Sequence, residues 1–342
     1  MANPALRDQL LSTLKYSAKP LSSTKISQDL GGEIPQRTLR RWLSEWVTEG
    51  VLTRVGNGRA TRYQFVGTVD NAYPVAADSL TFLSGLDNDL KISLRKQLRD
   101  LWTHTSTALE GNTLSLGDTH FILEEGLTIS GKPIKDHLEV IGHARAIELL
   151  HQCLNEPLSE SIVTSLHQAV QTENVVDIYK PNGAWKVEPN GTYAIHPNGE
   201  QVFIEYALPV FVPVLMAEVI GLINTIELSK LNLRNAHDCY AKIHMGVVHI
   251  HPFWDGNGRV ARLIANIPLL KAGLPPLVIP AEARHSYIQI LSSYEISTGQ
   301  LNKQTGVWPD LDLLVEFSQF CESCYDKTKD LVATASDIQK TR

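Results

Sequence analysis

Twelve consecutive residues gather the groups that chemistry on a phosphate needs. His251 is followed by Pro252, Phe253 and Trp254, then by Asp255, Gly256, Asn257, Gly258 and Arg259, with Arg262 three further on. Glycines at a turn into a helix let several N–H groups converge on one anion. Arg259 and Arg262, three apart on a helix, share a face and offer planar donor forks to phosphate oxygens. Asp255 supplies a hard oxygen of the kind Mg2+ takes alongside phosphate. His251 has an ordinary pKa suited to accepting a hydroxyl proton near neutrality. Together they fit attack of a hydroxyl on a phosphate.

The chain contains its own control. Gly-Asn-Gly-Arg-x-x-Arg also occurs at residues 56–62, without the upstream histidine and aspartate. That copy runs into a β-branched and aromatic strand, so its N–H groups cannot line up along a helix. The glycine string alone is a weak signal. His-Pro-Phe-x-Asp ahead of it, between two helical runs, makes the copy at 256–262 a strong one.

The elements that must hold this loop read as mostly helical from Leu80 onward. Apolar periodicity predicts helices over 94–109, 137–155, 159–170, 212–231, 233–250, 258–272 and 311–332. Residues 192–196 and 201–205 alternate around Pro197-Asn198-Gly199, which predicts a hairpin. Its free edge could recruit an extended peptide by strand addition. Arg95, Lys96 and Arg99 are expected on a solvated helix face.

Residues 1–66 have a different character. They hold ten Lys/Arg against five Asp/Glu, whereas the remainder holds twenty-one against thirty-two, so a basic head precedes an acidic body. Three helices and a two-stranded hairpin in about 65 residues resemble a winged helix-turn-helix domain. Arg37, Arg40 and Arg41 lie off the apolar stripe of its third helix, and Arg54, Arg59 and Arg62 crowd the hairpin turn. Such a helix enters the major groove while hairpin arginines neutralise phosphates. A protein-interaction domain with a solvated basic face is the plainer reading. Residues 67–80 read as a linker.

Composition bounds the rest. No apolar run approaches bilayer length, and no signal-peptide core opens the chain. Four cysteines are too few for a disulfide framework at 342 residues, which favours the reducing cytoplasm. Cys321-x-x-Cys324 falls in a helical pattern and reads as core. A zinc cluster of His244, His249 and His251, and a hydrolase dyad at His237-Asp238, are both discounted for want of supporting ligands.

Residues 251–262 resemble the Fic motif, His-x-Phe-x-Asp/Glu-Gly-Asn-Gly-Arg-x-x-Arg, at every defined position, and the resemblance extends over roughly residues 80–300. It implies a mainly α fold: a helical Fic domain over 81–300 with a β-hairpin flap, a helical extension over 301–342, and the small α+β winged helix in front. It implies transfer of AMP from ATP to a Ser, Thr or Tyr hydroxyl of a protein that docks on the flap near 192–205. His251 would be the base, Phe253 the anchor of the loop, and Asp255 the Mg2+ ligand. Gly256, Asn257 and Gly258 would form the anion hole, Arg259 and Arg262 would take the outer phosphates, and Tyr287 would stack near the adenine. Ser106-x-x-x-Glu110-Gly111-Asn112 resembles the family's inhibitory motif, in which Glu110 pairs with Arg262 and fills the γ-phosphate space. In some relatives that glutamate supports AMP removal. Open alternatives are a different transferred group, phosphate or UMP, and a DNA-bound regulator whose Fic domain senses nucleotide. DNA through the first domain and a homodimer are compatible partners.

Overall fold

The computed structural model describes residues 10, 14, 20–29, 34–48, 51–56, 58, 61–65, 80–171, 177–195 and 199–342. The chain divides into two compact units, residues 1–74 and 75–342.

In the first unit, α1 (Ser23–Asp29) and α2 (Gln36–Thr48) precede β1 (Leu52–Val55) and β2 (Arg62–Phe65). β1 and β2 pair antiparallel, and Leu21 bridges to Tyr63. Leu39, Trp42, Leu43 and Trp46 recur at helical spacing on α2 and are buried with Ile26 and Leu52. The first of the three expected helices, with Leu6, Leu10, Leu11 and Leu14 as its apolar stripe, lies outside the described residues except for Leu10 and Leu14, which are buried in this same core. Arg37, Arg40, Arg41 and Arg62 are exposed, with Arg41 paired to Glu45 at 3.5 Å. Arg59 and the linker up to residue 79 lie outside the described residues.

The second unit is a helical body. Its helices are α3 (Asn88–Ala108), α4 (Leu116–Glu125), α5 (Ile134–Gln152), α6 (Glu160–Val170), α7 (Val212–Thr225), α8 (Ala236–Ile250), α9 (Asn257–Ile264), α10 (Ile267–Lys271), α11 (Arg284–Thr298), α12 (Leu314–Cys324) and α13 (Asp326–Thr341). A single hairpin interrupts them, β3 (Gly191–Ile195) on β4 (Gln201–Glu205), in the register Tyr193↔Phe203. Helix α8 is buried almost all round, as expected of a helix sandwiched by α7, α9 and α12. Everything at its C-terminal end is therefore fixed by the core.

Several boundaries depart from the periodicity. The run expected over 258–272 is two helices, because Pro268 cannot donate to the ladder and the Asn266 carboxamide instead pairs with both main-chain groups of Leu277. The run over 311–332 breaks at Tyr325, and the run over 212–231 stops at Thr225. Helices α4 and α11 were not anticipated. Arg99 is not on a solvated face: it is nearly buried between Asp100 and Glu124, each at 2.7 Å, and ties α3 to α4. Residues 301–342 share the main core through Leu301, Val307, Phe317 and Cys321. Both Cys321 and Cys324 are buried free thiols. No described helix is long and apolar enough to cross a membrane.

Candidate active site

Helix α8 ends on His251, whose φ of 52° and ψ of 59° make it the one non-glycine left-handed residue among those described. That conformation is costly for a side-chain-bearing residue and persists only where the surroundings enforce it. They do so here. Its Nδ1 lies 3.1 Å from the Val248 carbonyl and its ring stacks on Tyr206 at 3.8 Å. A carbonyl can only accept, so Nδ1 carries the proton and Nε2 presents a lone pair. Burial, with Lys186 nearby, pushes the imidazole down to about 3, so it is neutral at neutral pH.

The loop after His251 is clamped from all sides. Phe253 is fully buried and stacks on His167 at 3.8 Å. The Asn257 carboxamide closes on the main chain of Phe253, accepting from its N–H at 2.8 Å and donating to its carbonyl at 2.9 Å. His167 donates from Nε2 to the Asp255 carbonyl and accepts at Nδ1 from the Gly183 N–H. Lys186 and Asn190 hold the Pro252 and Phe253 carbonyls. His167, Lys186 and Asn190 escaped the sequence reading, because each bonds a partner more than sixty residues away.

Gly256 takes φ 77° and launches α9, so main-chain N–H groups of the first turn of α9 are available to an anion. For Asn257 this leaves its N–H, not its committed carboxamide, for a ligand. The Glu110 carboxylate lies against that turn: a Cβ on Gly258 would fall on it. A negative group is favoured there by the helix dipole. Arg262 is almost wholly buried and binds Ser106 Oγ (2.9 Å), the Ser106 carbonyl (2.8 Å), Glu110 (2.6 Å) and Tyr287 Oη (3.1 Å). Ser106, Glu110 and Arg262 are thus one cluster joining the end of α3 to α9. Tyr287 is buried against Phe317 and Phe320, and its hydroxyl donates a hydrogen bond to His244 Nε2 at 3.0 Å. Its place is behind Arg262. Arg259 pairs with Asp255 at 2.9 Å and donates to the Val170 carbonyl. Burial opposes ionisation of Asp255, but Arg259 and the Gly256 N–H prevail and hold its carboxyl below the usual range.

A cleft of about 610 Å³ opens over this loop, lined among others by His251, Trp254, Asp255, Lys135 and the hairpin residues Phe203 and Glu205. Asp255 is more than half exposed there. Among the described residues no group of three or more His, Cys, Asp or Glu could enclose a metal. On the hairpin, Tyr193, Ile195 and Phe203 are exposed, an apolar face beside the cleft. Residues 196–198 of its turn lie outside the described residues.

Known proteins share these features. Residues 157–269 match the Fic/DOC family. Protein adenylyltransferase fic-1 of Caenorhabditis briggsae is 30% identical over 205 residues, covering 57% of this chain and 37% of that protein. Protein adenylyltransferase Fic of Drosophila erecta is 30% identical over 237 residues, covering 68% and 41%. The chain thus spans less than half the length of these curated relatives. Among solved structures, a Fic domain containing signaling protein from Bacteroides thetaiotaomicron superposes with a TM-score of 0.64 at 27% identity, covering 76% of this chain and 94% of that one. Fic-1 of Caenorhabditis elegans, at 24% identity and TM-score 0.55, covers 76% and 72% and shares the fold. Residues 157–269, with the hairpin and the histidine loop, are thus similar to the Fic/DOC family, and the helical second unit has the fold of these Fic structures.

Proposed function

We propose that this protein transfers AMP from ATP to a hydroxyl of another protein. The observation that supports it is a neutral imidazole, an ionised carboxylate and a helix N-terminus gathered at one cleft beneath a hairpin. In this reaction the hydroxyl oxygen attacks the α-phosphorus while the bond to pyrophosphate breaks, and His251 Nε2 takes the hydroxyl proton. Main-chain N–H groups of Gly256, Asn257 and Gly258 receive the α-phosphate. Arg259 and Arg262 face the outer phosphates, with Tyr287 aiming Arg262 rather than stacking on the base. The ionised Asp255 carboxylate fits Mg2+, as the hard oxygen that ion takes beside phosphate. It would hold Mg2+, which when bound would supply charge neutralisation for the triphosphate. The work of the site is positioning and charge neutralisation. The exposed apolar hairpin face receives the target segment.

Glu110 acts in this scheme as a brake. Its carboxylate occupies the first turn of α9 and the guanidinium that an outer phosphate would use, so nucleotide and Glu110 compete. In this reading the same carboxylate would also support AMP removal, as in some relatives. The first unit, with Arg37, Arg40, Arg41, Arg59 and Arg62, is assigned to DNA.

The test compares wild type with Glu110→Gly, each offered labelled ATP, UTP or GTP and a lysate. ATP-derived label should appear on protein, about tenfold or more faster in the variant, a change equivalent to ~1.4 kcal/mol. Equal rates would remove the brake. Label from UTP alone would change the transferred group, and no label from any nucleotide would leave the DNA-bound nucleotide sensor as the better reading.

A further inference from the structure

We propose that Lys186 is a positioning residue for the base: its ammonium caps the C-terminal end of α8 and, with Asn190, fixes His251 in its left-handed conformation. The inference rests on the AMP-transfer reading for its role in turnover, but not for its geometry.

The last carbonyls of a helix have no partner within it and carry the negative end of the dipole, so a cation there is favoured. Lys186 Nζ lies 3.4 Å from the Ile250 carbonyl and 2.5 Å from Asn190 Oδ1. The Lys186 main-chain N–H donates to the Pro252 carbonyl at 2.9 Å, and Asn190 Nδ2 donates to that of Phe253 at 3.0 Å. Three carbonyls that flank His251 are thereby held by two residues. The Tyr206 N–H donates in turn to the Asn190 carbonyl at 3.1 Å, and the Tyr206 ring is the one stacked on His251. The same ammonium sits 5.9 Å from the centre of that ring.

This is an expensive choice for mere packing. Lys186 is 2% exposed, and no described carboxylate pairs with it. Burying an uncompensated ammonium is unfavourable, and burial accordingly pulls Lys186 down to about 7, whereas a methionine of similar length would bury freely. What a methionine cannot do is bond Ile250 and Asn190 together. Burial is the main cause that keeps the imidazole unprotonated, and a protonated Lys186 adds to it, beside Asp255, His249 and the stacked Tyr206. Lys186 thus orients the base.

The experiment uses the Glu110→Gly protein as parent and adds Lys186→Met, Lys186→Arg or Asn190→Ala. Lys186→Met should lower kcat for AMP transfer on the order of 10²-fold, the cost of a misplaced catalytic group, with KM for ATP little changed. Lys186→Arg, which can still donate to helix carbonyls, should recover most of it, and Asn190→Ala should lose kcat in the same direction. Undiminished kcat in Lys186→Met, or a loss that Lys186→Arg does not recover, would overturn the proposal. If Lys186→Met does not fold, Asn190→Ala decides. Imidazole 15N spectra give a readout separate from turnover: the parent should show His251 as the Nδ1–H tautomer and Lys186→Met a mixture. An unchanged tautomer would also overturn it. A parent that labels nothing would sink AMP transfer while these spectra still decide the positioning.

Discussion

The string Gly-Asn-Gly-Arg-x-x-Arg occurs twice, and the chain folds it in two unrelated ways. At residues 56–62, Gly56 and Gly58 both take positive φ, 78° and 57°, and Arg62 opens a strand opposite Val55. At 256–262 only Gly256 is left-handed, and Gly258 lies within α9. The difference starts four residues before each asparagine. Phe253 is buried and lends its N–H and carbonyl to the Asn257 carboxamide, whereas Thr53 is committed to a ladder opposite Gln64. One copy lies between two paired strands and the other starts a helix. Identity of residues sets what is possible, and the partners upstream select which conformation is taken.

The largest test of this contrast is His251→Ala in the Glu110→Gly protein. Labelled-AMP transfer should drop on the order of 10²–10⁴-fold, the worth of a general base, with ATP binding by calorimetry retained. Transfer at the parental rate would mean that the helix-start copy owes nothing to the histidine ahead of it.

Acidification separates the two units next. Burial, first among the causes, pushes His151 and His251 down to about 3, and His167 and His249 down to about 4. The unfolded chain therefore takes up protons first as pH falls below about 6.5, so the stability these neutral rings confer is present above that pH and lost towards 4. Residues 1–74 contain no histidine. Between pH 7 and 5 the melting transition of residues 75–342 should fall while that of the first unit holds. Parallel shifts in calorimetry would contradict the assignment of neutral buried imidazoles.

The smallest effect is expected for Gly58→Ala. Among the described residues nothing lies within 4 Å of the added methyl, so the cost expected is that of the left-handed backbone, roughly 1–2 kcal/mol. The first unit should melt earlier and hold duplex DNA less well, with AMP transfer unchanged. A change in transfer would show that the wing copy reaches the chemistry.

The site was legible where its chemistry is local. Base, carboxylate, glycines and arginines lie within one helix–loop–helix, and spacing alone orders them. The Ser115–Asp118 capping box that starts α4 was also written in the sequence and was passed over. Helix α11 gave less to read, since Tyr287, Leu291 and Tyr294 are separated by exposed Ile288 and by polar residues. The resemblance gave Asn257 to the anion hole and Tyr287 to the adenine, but the Asn257 carboxamide and the Tyr287 hydroxyl have hydrogen-bond partners inside the protein. The clamps His167, Lys186 and Asn190 bond the loop across 63 to 88 residues. No local rule of period or propensity reaches that far.

The crowding around Arg262 has a mechanical consequence. When Glu110 departs, the guanidinium still keeps the Ser106 hydroxyl and carbonyl and the Tyr287 oxygen. Its aim survives the loss of one contact in four. If Glu110 is the brake proposed above, its release would move a single partly exposed side chain and leave the other three contacts of Arg262 in place.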